Sequence, residues 1–440
     1  MRTAIVVGGS TTGLSAALAL QPLGYRVRVL DRDTGPVPTT VEAANREWVR
    51  ATVPQALHSH SFTSLALRHL ADGAPHVLDA LLDAGATELR LTPDLPFLAC
   101  RRRTFDQVMS TAAGVEIWRG HRVTGLELDG APRVTGVRLA GGARLDADLV
   151  LDATGRACES RRWLAAAGLP VPDDRVSPSG IACYTRFYRS HDGALPGPLN
   201  LGTAAGGAFG TYLAFAHPGD NGTFSVGIGV LPEDRVLRSA HQAAVFDAVV
   251  RATPLGAWLD AAYPISPVHA IRFPDNTFRG IATRNPVAGL HAVGDAACIT
   301  NPLYGRGVAL GIAHAFDLAQ VLPDADAAAE LAEDLLLPWY ERAVVDDVDR
   351  NRGWRMAVLG QDSPPAPTGH LSFGHASLAA ARDPLVAERL AAVRMSVGHP
   401  DDFYADLAVR SRIADALAAG PPPSAGPSRP ELVELVEEAA

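Results

Sequence analysis

The chain has 440 residues, an ordinary hydrophobic content of 47% and a formal net charge of −9, so it is long enough for two or three domains with sizeable cores. An acidic balance without a basic patch excludes nucleic acid as an expected partner and argues against an anionic membrane surface. The 4 cysteines (Cys100, Cys158, Cys183, Cys298) stand far apart with no CxxC pair, which excludes a zinc site or disulfide framework and points to a reducing compartment.

The first 32 residues set the organisation. Ala4 to Val7 is a short β-branched run of the kind buried on both faces of a sheet. It breaks at Gly8-Gly9-Ser10-Thr11-Thr12-Gly13 and resumes as a helical segment with Leu14 and Leu18 one turn apart, closed by Pro22-Leu23-Gly24. Val27, Val29 and Leu30 form the next strand, ending on Asp31 and Arg32. Strand, glycine turn, helix, strand and an acid roughly 20 residues past the glycines is the layout of a dinucleotide-binding unit. Gly8 permits the tight turn, Gly13 the close approach of helix and strand, and the helix start faces a pyrophosphate. Asp31 would accept from ribose hydroxyls. Ser10 replaces the middle glycine and is small enough to keep the turn. The N-terminal apolar run dies at Gly8, too short for a signal segment or a spanning helix, and a cytoplasmic location is the expectation.

Beyond Arg32, Val53-Pro-Gln-Ala-Leu-His-Ser-His60 leads to a helix carrying Leu65, Leu67 and Leu70, and 76–85 predicts another, closed by Gly85. Arg101 to Met109 begins a helix and Val115 to Trp118 a strand. The segments at Val123 and Val134 predict a hairpin around Asp129-Gly130. Asp148 to Gly155 is a buried strand running into a turn. From Ile181 to Val230 alternating segments predict an antiparallel sheet with one face on the core and one on a cavity. Residues 239–262 predict helix. Gly289 to Asp295 restores a buried strand, followed by Asn301-Pro-Leu-Tyr-Gly-Arg-Gly307 and a helix through Val321. The remainder reads as helical, interrupted by Pro-rich stretches at 363–367 and 420–430. In the last segment, Leu432, Leu435 and Val436 share a stripe that either docks on the body or meets a partner.

Three separated motifs, the N-terminal turn with Asp31-Arg32, Asp152-Ala-Thr-Gly-Arg156, and Gly294-Asp295 with the Asn301–Gly307 string, together resemble FAD-dependent monooxygenases of the para-hydroxybenzoate hydroxylase-like superfamily. Val53-Pro-Gln with His58 and His60 resembles a bacterial branch that includes polyether olefin epoxidases. The resemblance covers about the first three quarters of the chain. It implies an α/β fold: a doubly wound, glutathione-reductase-like FAD domain (1–75, 98–165, 286–325), a β-sheet substrate domain (76–97, 166–285) and a helical C-terminal region (326–440).

Residue by residue, the resemblance implies that Gly8, Ser10, Thr11, Thr12, Gly13, Asp31 and Arg32 hold the dinucleotide. Asp295 would hold the ribityl or phosphate region, and Val123 would pass the adenine by main chain. Arg103 would reach the flavin region. Pro302, Gly305 and Gly307 would lie against the isoalloxazine, with the helix from Val308 aimed at its O2 and N1. Arg306 adds a cation nearby, and Pro302, Gly305 and Arg306 are the nearest candidates for a direct part in chemistry, which the flavin itself would carry.

The implied reaction is epoxidation or hydroxylation of an apolar small molecule of secondary metabolism through a flavin C4a-hydroperoxide, with O2 as co-substrate. NADPH or NADH would supply electrons, directly or through a flavin reductase; Thr154 stands where many relatives carry an Asp that helps with NAD(P)H, so a separate reductase could take that part. The alternatives are a flavin-dependent reductase or dehydrogenase, and a non-redox flavin scaffold. Tyr184, Arg186, Phe209, Tyr212, Phe215 and Phe273 are candidates for the substrate pocket, each equally able to be core. His58 and His60 alternate on an extended stretch and should point opposite ways; no third ligand of suitable spacing accompanies them, so no metal is expected. Halogenation on this fold resembles chemistry needing a lysine and a Trp-rich motif. The chain has neither, since all 39 Lys/Arg positions are arginine.

Overall fold

A computed structural model of the chain describes residues 1–362, 369–420 and 425–440. The Pro-rich stretch at 363–367 lies outside them, as do four residues of the one at 420–430. The chain opens with β1 (Arg2–Val7), α1 (Thr11–Leu20) and β2 (Tyr25–Asp31). Ile5 and Val7 of β1 face one core and Ala4 and Val6 the other, which is what a run of branched residues in a parallel sheet requires. There follow α2 (Val41–Glu47), α3 (Ser64–Gly73), α4 (Pro75–Asp83), the paired β3 (Thr87–Arg90) and β4 (Pro96–Ala99), α5 (Arg102–Ala112) and β5 (Glu116–Arg119). Val77, Leu81 and Ala86 pack in the same core as α1. A meander of β6 (Val123–Leu128), β7 (Val134–Leu139) and β8 (Arg144–Asp146) contains the hairpin read around Asp129-Gly130. Next come β9 (Leu149–Asp152) and α6 (Glu159–Ala166).

The second unit comprises β10 (Arg175–Ser177), β11 (Ala182–Ser190), β12 (Ala205–Ala208), β13 (Tyr212–Pro218) and β14 (Thr223–Val230), then α7 (Ala243–Arg251), α8 (Gly256–Asp260), β15 (Ala262–Pro264), β16 (His269–Arg272) and β17 (Asn276–Phe278). The helical reading of 239–262 therefore holds as two helices with a break, where Thr253 Oγ1 bonds the Val250 carbonyl (2.7 Å) and turns the chain at Pro254. The chain returns through β18 (Leu290–Ala292) and β19 (Cys298–Ile299) to α9 (Gly307–Val321), and finishes in α10 (Ala325–Leu335), α11 (Leu337–Leu359), α12 (Phe373–Ala380), α13 (Pro384–Arg394), α14 (Pro400–Ala405), α15 (Leu407–Ala418) and α16 (Arg429–Ala439).

The first sheet is parallel in the order β18-β9-β1-β2-β5. Its register sets Val7 beside Leu30 and Asp152, and Asp152 beside Ala292. The carboxyl ends of β1, β2, β9 and β18 thus finish together, which in an open α/β sheet is where a ligand crevice forms. The six-stranded antiparallel sheet, expected to serve the substrate, runs β12-β13-β14-β11-β15, with β16 also on β11. Tyr184, Tyr188, Tyr212, Phe224, Val226 and Ile228 pack one of its faces against α7 and α8. The terminal helix α16 docks on that layer through Leu432 and Val436. Arg429 grips the fully buried Asp234 with two bonds of 2.7 and 2.8 Å, so the amphipathic stripe meets the body of its own chain. Among the described residues no helix is long and apolar enough to cross a membrane.

Candidate functional site

The glycine turn is as tight as its sequence demands. Gly8 has φ +116°, and a Cβ on Gly13 would stand 1.8 Å from the Gly8 carbonyl oxygen. Ser10 caps α1 in an extended conformation. Close packing of α1 on α9 is likewise set by small residues, since a Cβ on Gly311 would meet Thr12 Oγ1 at 2.7 Å. Both helices therefore bring their N-termini to one place: Ser10, Thr11 and Thr12 line a cavity of about 170 Å³ together with Gly307 and Val308. A neighbouring cavity of about 460 Å³ continues from Gly8, Gly9 and Ser10 past Asp31 and Arg32 to Val123 and Trp163. The two share Ser10, Gln55, Ala153, Gly155 and Arg156, forming one trough along the strand ends. Converging helix starts make such a trough receptive to phosphate.

Arginines behind the turn carry its electrostatics. Arg50 donates to Asp106 Oδ2 (3.0 Å), to the Gly9 carbonyl (3.2 Å) and to Asp31 Oδ2 (3.4 Å). Arg102 donates to Asp106 Oδ1 (2.9 Å) and to Ser10 Oγ (3.0 Å). Burial works to raise the Asp106 carboxyl, but Arg102 and Arg50 outweigh it and hold the group below its usual range. Asp31 goes the other way, raised by burial against the pull of Arg50. Arg103, expected at the flavin, is one position out of phase: its Nη1 donates to the Asn45 carbonyl (2.7 Å) and the side chain enters a different cavity. On the first turn of α5 successive residues diverge by about 100°, so Arg102 reaches the glycine turn and Arg103 cannot.

Asp295 lines the trough, and among the described residues nothing donates a hydrogen bond to its carboxylate. Burial raises it, opposed by Arg102, Arg156 and Arg279. Gln55 Oε1 and Thr300 Oγ1, also on the lining, are buried with no hydrogen-bond partner among the described residues. A Cβ on Gly307 would point into open space. Unpaired buried acceptors, a bare backbone and two helix starts are the donor set that a flavin dinucleotide's ribityl hydroxyls, ring edge and phosphates would satisfy, and the residues fit the group. Asp295→Ala should lower the FAD retained through purification at least tenfold in affinity, read as flavin absorbance per protein; full occupancy would remove Asp295 from the site.

The Asn301–Gly307 loop is held from behind by α11. The fully buried Asp347 accepts from Asn276 Nδ2 (2.7 Å), Asn301 Nδ2 (2.8 Å) and the Tyr304 hydroxyl (3.2 Å), and is paired with Arg350. Pro302, Gly305 and Gly307 consequently line the trough. Arg306 does not. Its guanidinium turns away, over the rings of Tyr304 (4.5 Å) and Trp339 (5.1 Å) and toward Asp346 (3.9 Å). It is a buried anchor into the C-terminal helices rather than a cation at the flavin. The sequence signal for this anchorage was Asp346-Asp347 set among Val344, Val345 and Val348 on a helix, a costly pair to bury without partners.

Opposite the loop stands the other face of the six-stranded antiparallel sheet. Cys183 and Thr185 of β11, Phe215 and His217 of β13, and Ile271, Phe273 and Pro274 line the cavity. Of the expected substrate residues, Phe215 and Phe273 are here. Tyr184, Phe209 and Tyr212 belong to the core against α7, and Arg186 pairs with Asp247 (2.8 Å) on that same side. His58 and His60 both line the cavity, His58 beside Thr185 and His269 of the antiparallel sheet and His60 beside the ring of Phe62. His58 Nδ1 lies 2.9 Å from Thr185 Oγ1 and His60 Nδ1 3.0 Å from the His58 carbonyl. Burial drives both down to about 3, and His217 to about 4, so the imidazoles are neutral near pH 7.

No family model matches the chain. Among curated proteins, Rv3254 of Mycobacterium tuberculosis is 27% identical over 382 residues, covering 76% of each chain. A rifampicin monooxygenase of Streptomyces venezuelae is 29% identical over 332 residues, 71% of this chain and 62% of that protein, so this chain spans less than two thirds of that relative. Among solved structures, the flavin-dependent brominase Bmp2 superposes with a TM-score of 0.63 at 13% identity, over 94% of this chain and 98% of the other. PqsL of Pseudomonas aeruginosa, described as a probable FAD-dependent monooxygenase, gives 0.61 at 15% identity, over 82% and 100%. At such identities these structures speak to the fold. In fold, the chain is similar to these flavin-dependent enzymes.

Proposed function

We propose that the protein is an FAD-dependent monooxygenase that epoxidises or hydroxylates an apolar small molecule, using O2 and electrons from NADPH or NADH. The observation that carries this reading is the trough that starts at a dinucleotide-type glycine turn and ends between the Pro302–Val308 loop and an apolar sheet face. FAD, when bound, would supply oxygen activation. Gly8 to Gly13 would seat its pyrophosphate, Asp31 its ribose and Asp295 its ribityl chain. The start of α9, at Gly307 and Val308, would favour negative charge on the ring system. The substrate side is built to exclude water: Phe215, Ile271, Phe273 and Leu303 surround the cavity with apolar surface, while Thr185 and His58 offer one hydrogen-bonding edge for orientation. Because the chain has no lysine, likeness to a brominase stays a likeness of fold.

The first test is anaerobic mixing of the yellow holoprotein with NADPH and then NADH. Bleaching of the flavin band, followed by oxygen uptake on admitting air, is the expected result for a self-sufficient enzyme. Unbleached flavin that responds once a flavin reductase is added places electron delivery in a partner. Reduction that consumes NAD(P)H with substrate but never takes up oxygen would overturn the monooxygenase reading in favour of a reductase.

A further inference from the structure

We propose that a second cavity, distinct from the flavin trough, binds an organic anion with an apolar or ring-bearing body, its phosphate or carboxylate held by Arg103 and Arg189. The inference rests on the flavin reading only for its placement beside that trough. The cavity, of about 760 Å³, lies between α2 and the outer part of the substrate sheet.

Its lining joins two kinds of surface. One is cationic. Arg103 makes a single hydrogen bond, to a carbonyl, and among the described residues Arg189 has neither ion pair nor side-chain hydrogen bond. Neighbouring arginines are already neutralised, Arg101 by Asp220 (2.6 Å) and Arg46 by Glu47 (2.7 Å), and exposed Glu42 sits on the rim. His269 joins these two guanidinium groups on the lining. Burial and the charge of Arg101 lower Arg103, and burial and the charge of Arg103 lower His269, so the imidazole adds no charge and the groove's positive charge rests on the two arginines. A guanidinium without a counter-ion suits phosphate or carboxylate through paired N–H donors.

The other surface is apolar. Phe187 lines the groove beside Tyr263 and Ile265, which are 45% and 37% exposed. Unpaired arginines next to exposed ring and aliphatic surface match a ligand with an acidic end and a flat or greasy body. The groove is also close to the chemistry. Ala56 and Leu57 line it while Gln55 and His58 line the trough, and the His58 and His269 rings are 6.4 Å apart. One short 3-10 turn, Pro54–Leu57, separates the two. Two sources share this chemistry: the phosphates of a nicotinamide electron donor, and an acidic group on the molecule to be oxidised.

The experiment is calorimetric titration of inorganic pyrophosphate into FAD-loaded wild type and into Arg103→Gln/Arg189→Gln, with Arg103→Lys/Arg189→Lys as the charge-retaining variant. Saturable binding, weakened at least tenfold by the glutamines and largely kept by the lysines, is expected. No binding to wild type, or equal affinity in the glutamine variant, overturns the proposal. Anaerobic reduction then identifies the source. If the glutamine variant needs tenfold more NADPH for the same limiting bleaching rate, the anion is the donor; if pyrophosphate binding is lost with the NADPH dependence unchanged, the anion belongs to the substrate. Should the protein take up no FAD, the difference in pyrophosphate affinity between wild type and variant still decides the groove, independently of the flavin reading.

Discussion

Asp347→Ala is expected to destabilise the protein by about 3–5 kcal/mol and to release FAD, although Asp347 touches no part of the trough. Its carboxylate is fully buried and accepts from Asn276, Asn301 and Tyr304 while neutralising Arg350. Truncation leaves two amides and a hydroxyl without acceptors and a guanidinium without its counter-charge. Each orphaned buried donor costs about 1–3 kcal/mol. The loss should fall on the Asn301–Gly307 loop, whose Leu303 N–H is in turn held by Asn301 Oδ1 (2.9 Å). Asp347→Asn keeps an acceptor but not the charge, and should fall between. Denaturant unfolding with flavin absorbance as a second probe reads both effects; unchanged stability with full FAD content would show that α11 does not hold the loop.

Gly13→Ala should be nearly as severe and should act on FAD first. The added Cβ would lie 1.8 Å from a backbone oxygen, and the Gly8 carbonyl cannot swing aside as a side-chain tip could. Either α1 withdraws from β1 or the turn opens; in both cases the helix start leaves the trough. Overpacking of this kind typically costs about 1–3 kcal/mol and occasionally more. Gly24→Ala is the control. Gly24 also has positive φ, at +83°, but nothing lies within 4 Å of its Cβ position, so it should cost about 1 kcal/mol in strain and leave flavin binding intact. Equal FAD content in the two variants would sink the close-approach argument.

Much of the dinucleotide half was legible because its determinants are local. A buried strand, a glycine turn, a helix and an acid follow one another within the first 32 residues, and steric demands at Gly8 and Gly13 write themselves into residue type. The substrate face was harder to read. On β11 and β13 the aromatic and charged residues invite selection, yet period two sends Tyr184, Arg186 and Tyr212 to the α7 side and leaves Cys183, Thr185 and His217 on the cavity. Which face is covered depends on α7, α8 and α16, elements remote in sequence. Arg102 and Arg103 differ by a single helical step, which an assignment by resemblance does not resolve. The anchorage through Arg306 and Asp347 joins a loop to a helix some forty residues later and has no local signature beyond two acids in an apolar stretch.

Along β14 the cavity side carries Thr223, Ser225, Gly227 and Gly229, while Phe224, Val226, Ile228 and Val230 build the core. At Gly227 the missing side chain is occupied by a neighbour: a Cβ there would come within 2.3 Å of the Phe215 ring, its register partner on β13. The ring is therefore parked in a vacancy, and any larger residue at 227 must push it elsewhere. A single-base change from glycine to alanine, serine or valine would recontour the cavity wall without altering one core residue. If the cavity holds the substrate as proposed, a lineage carrying this sheet can thus drift from one substrate shape to another by way of a position that itself need never touch it.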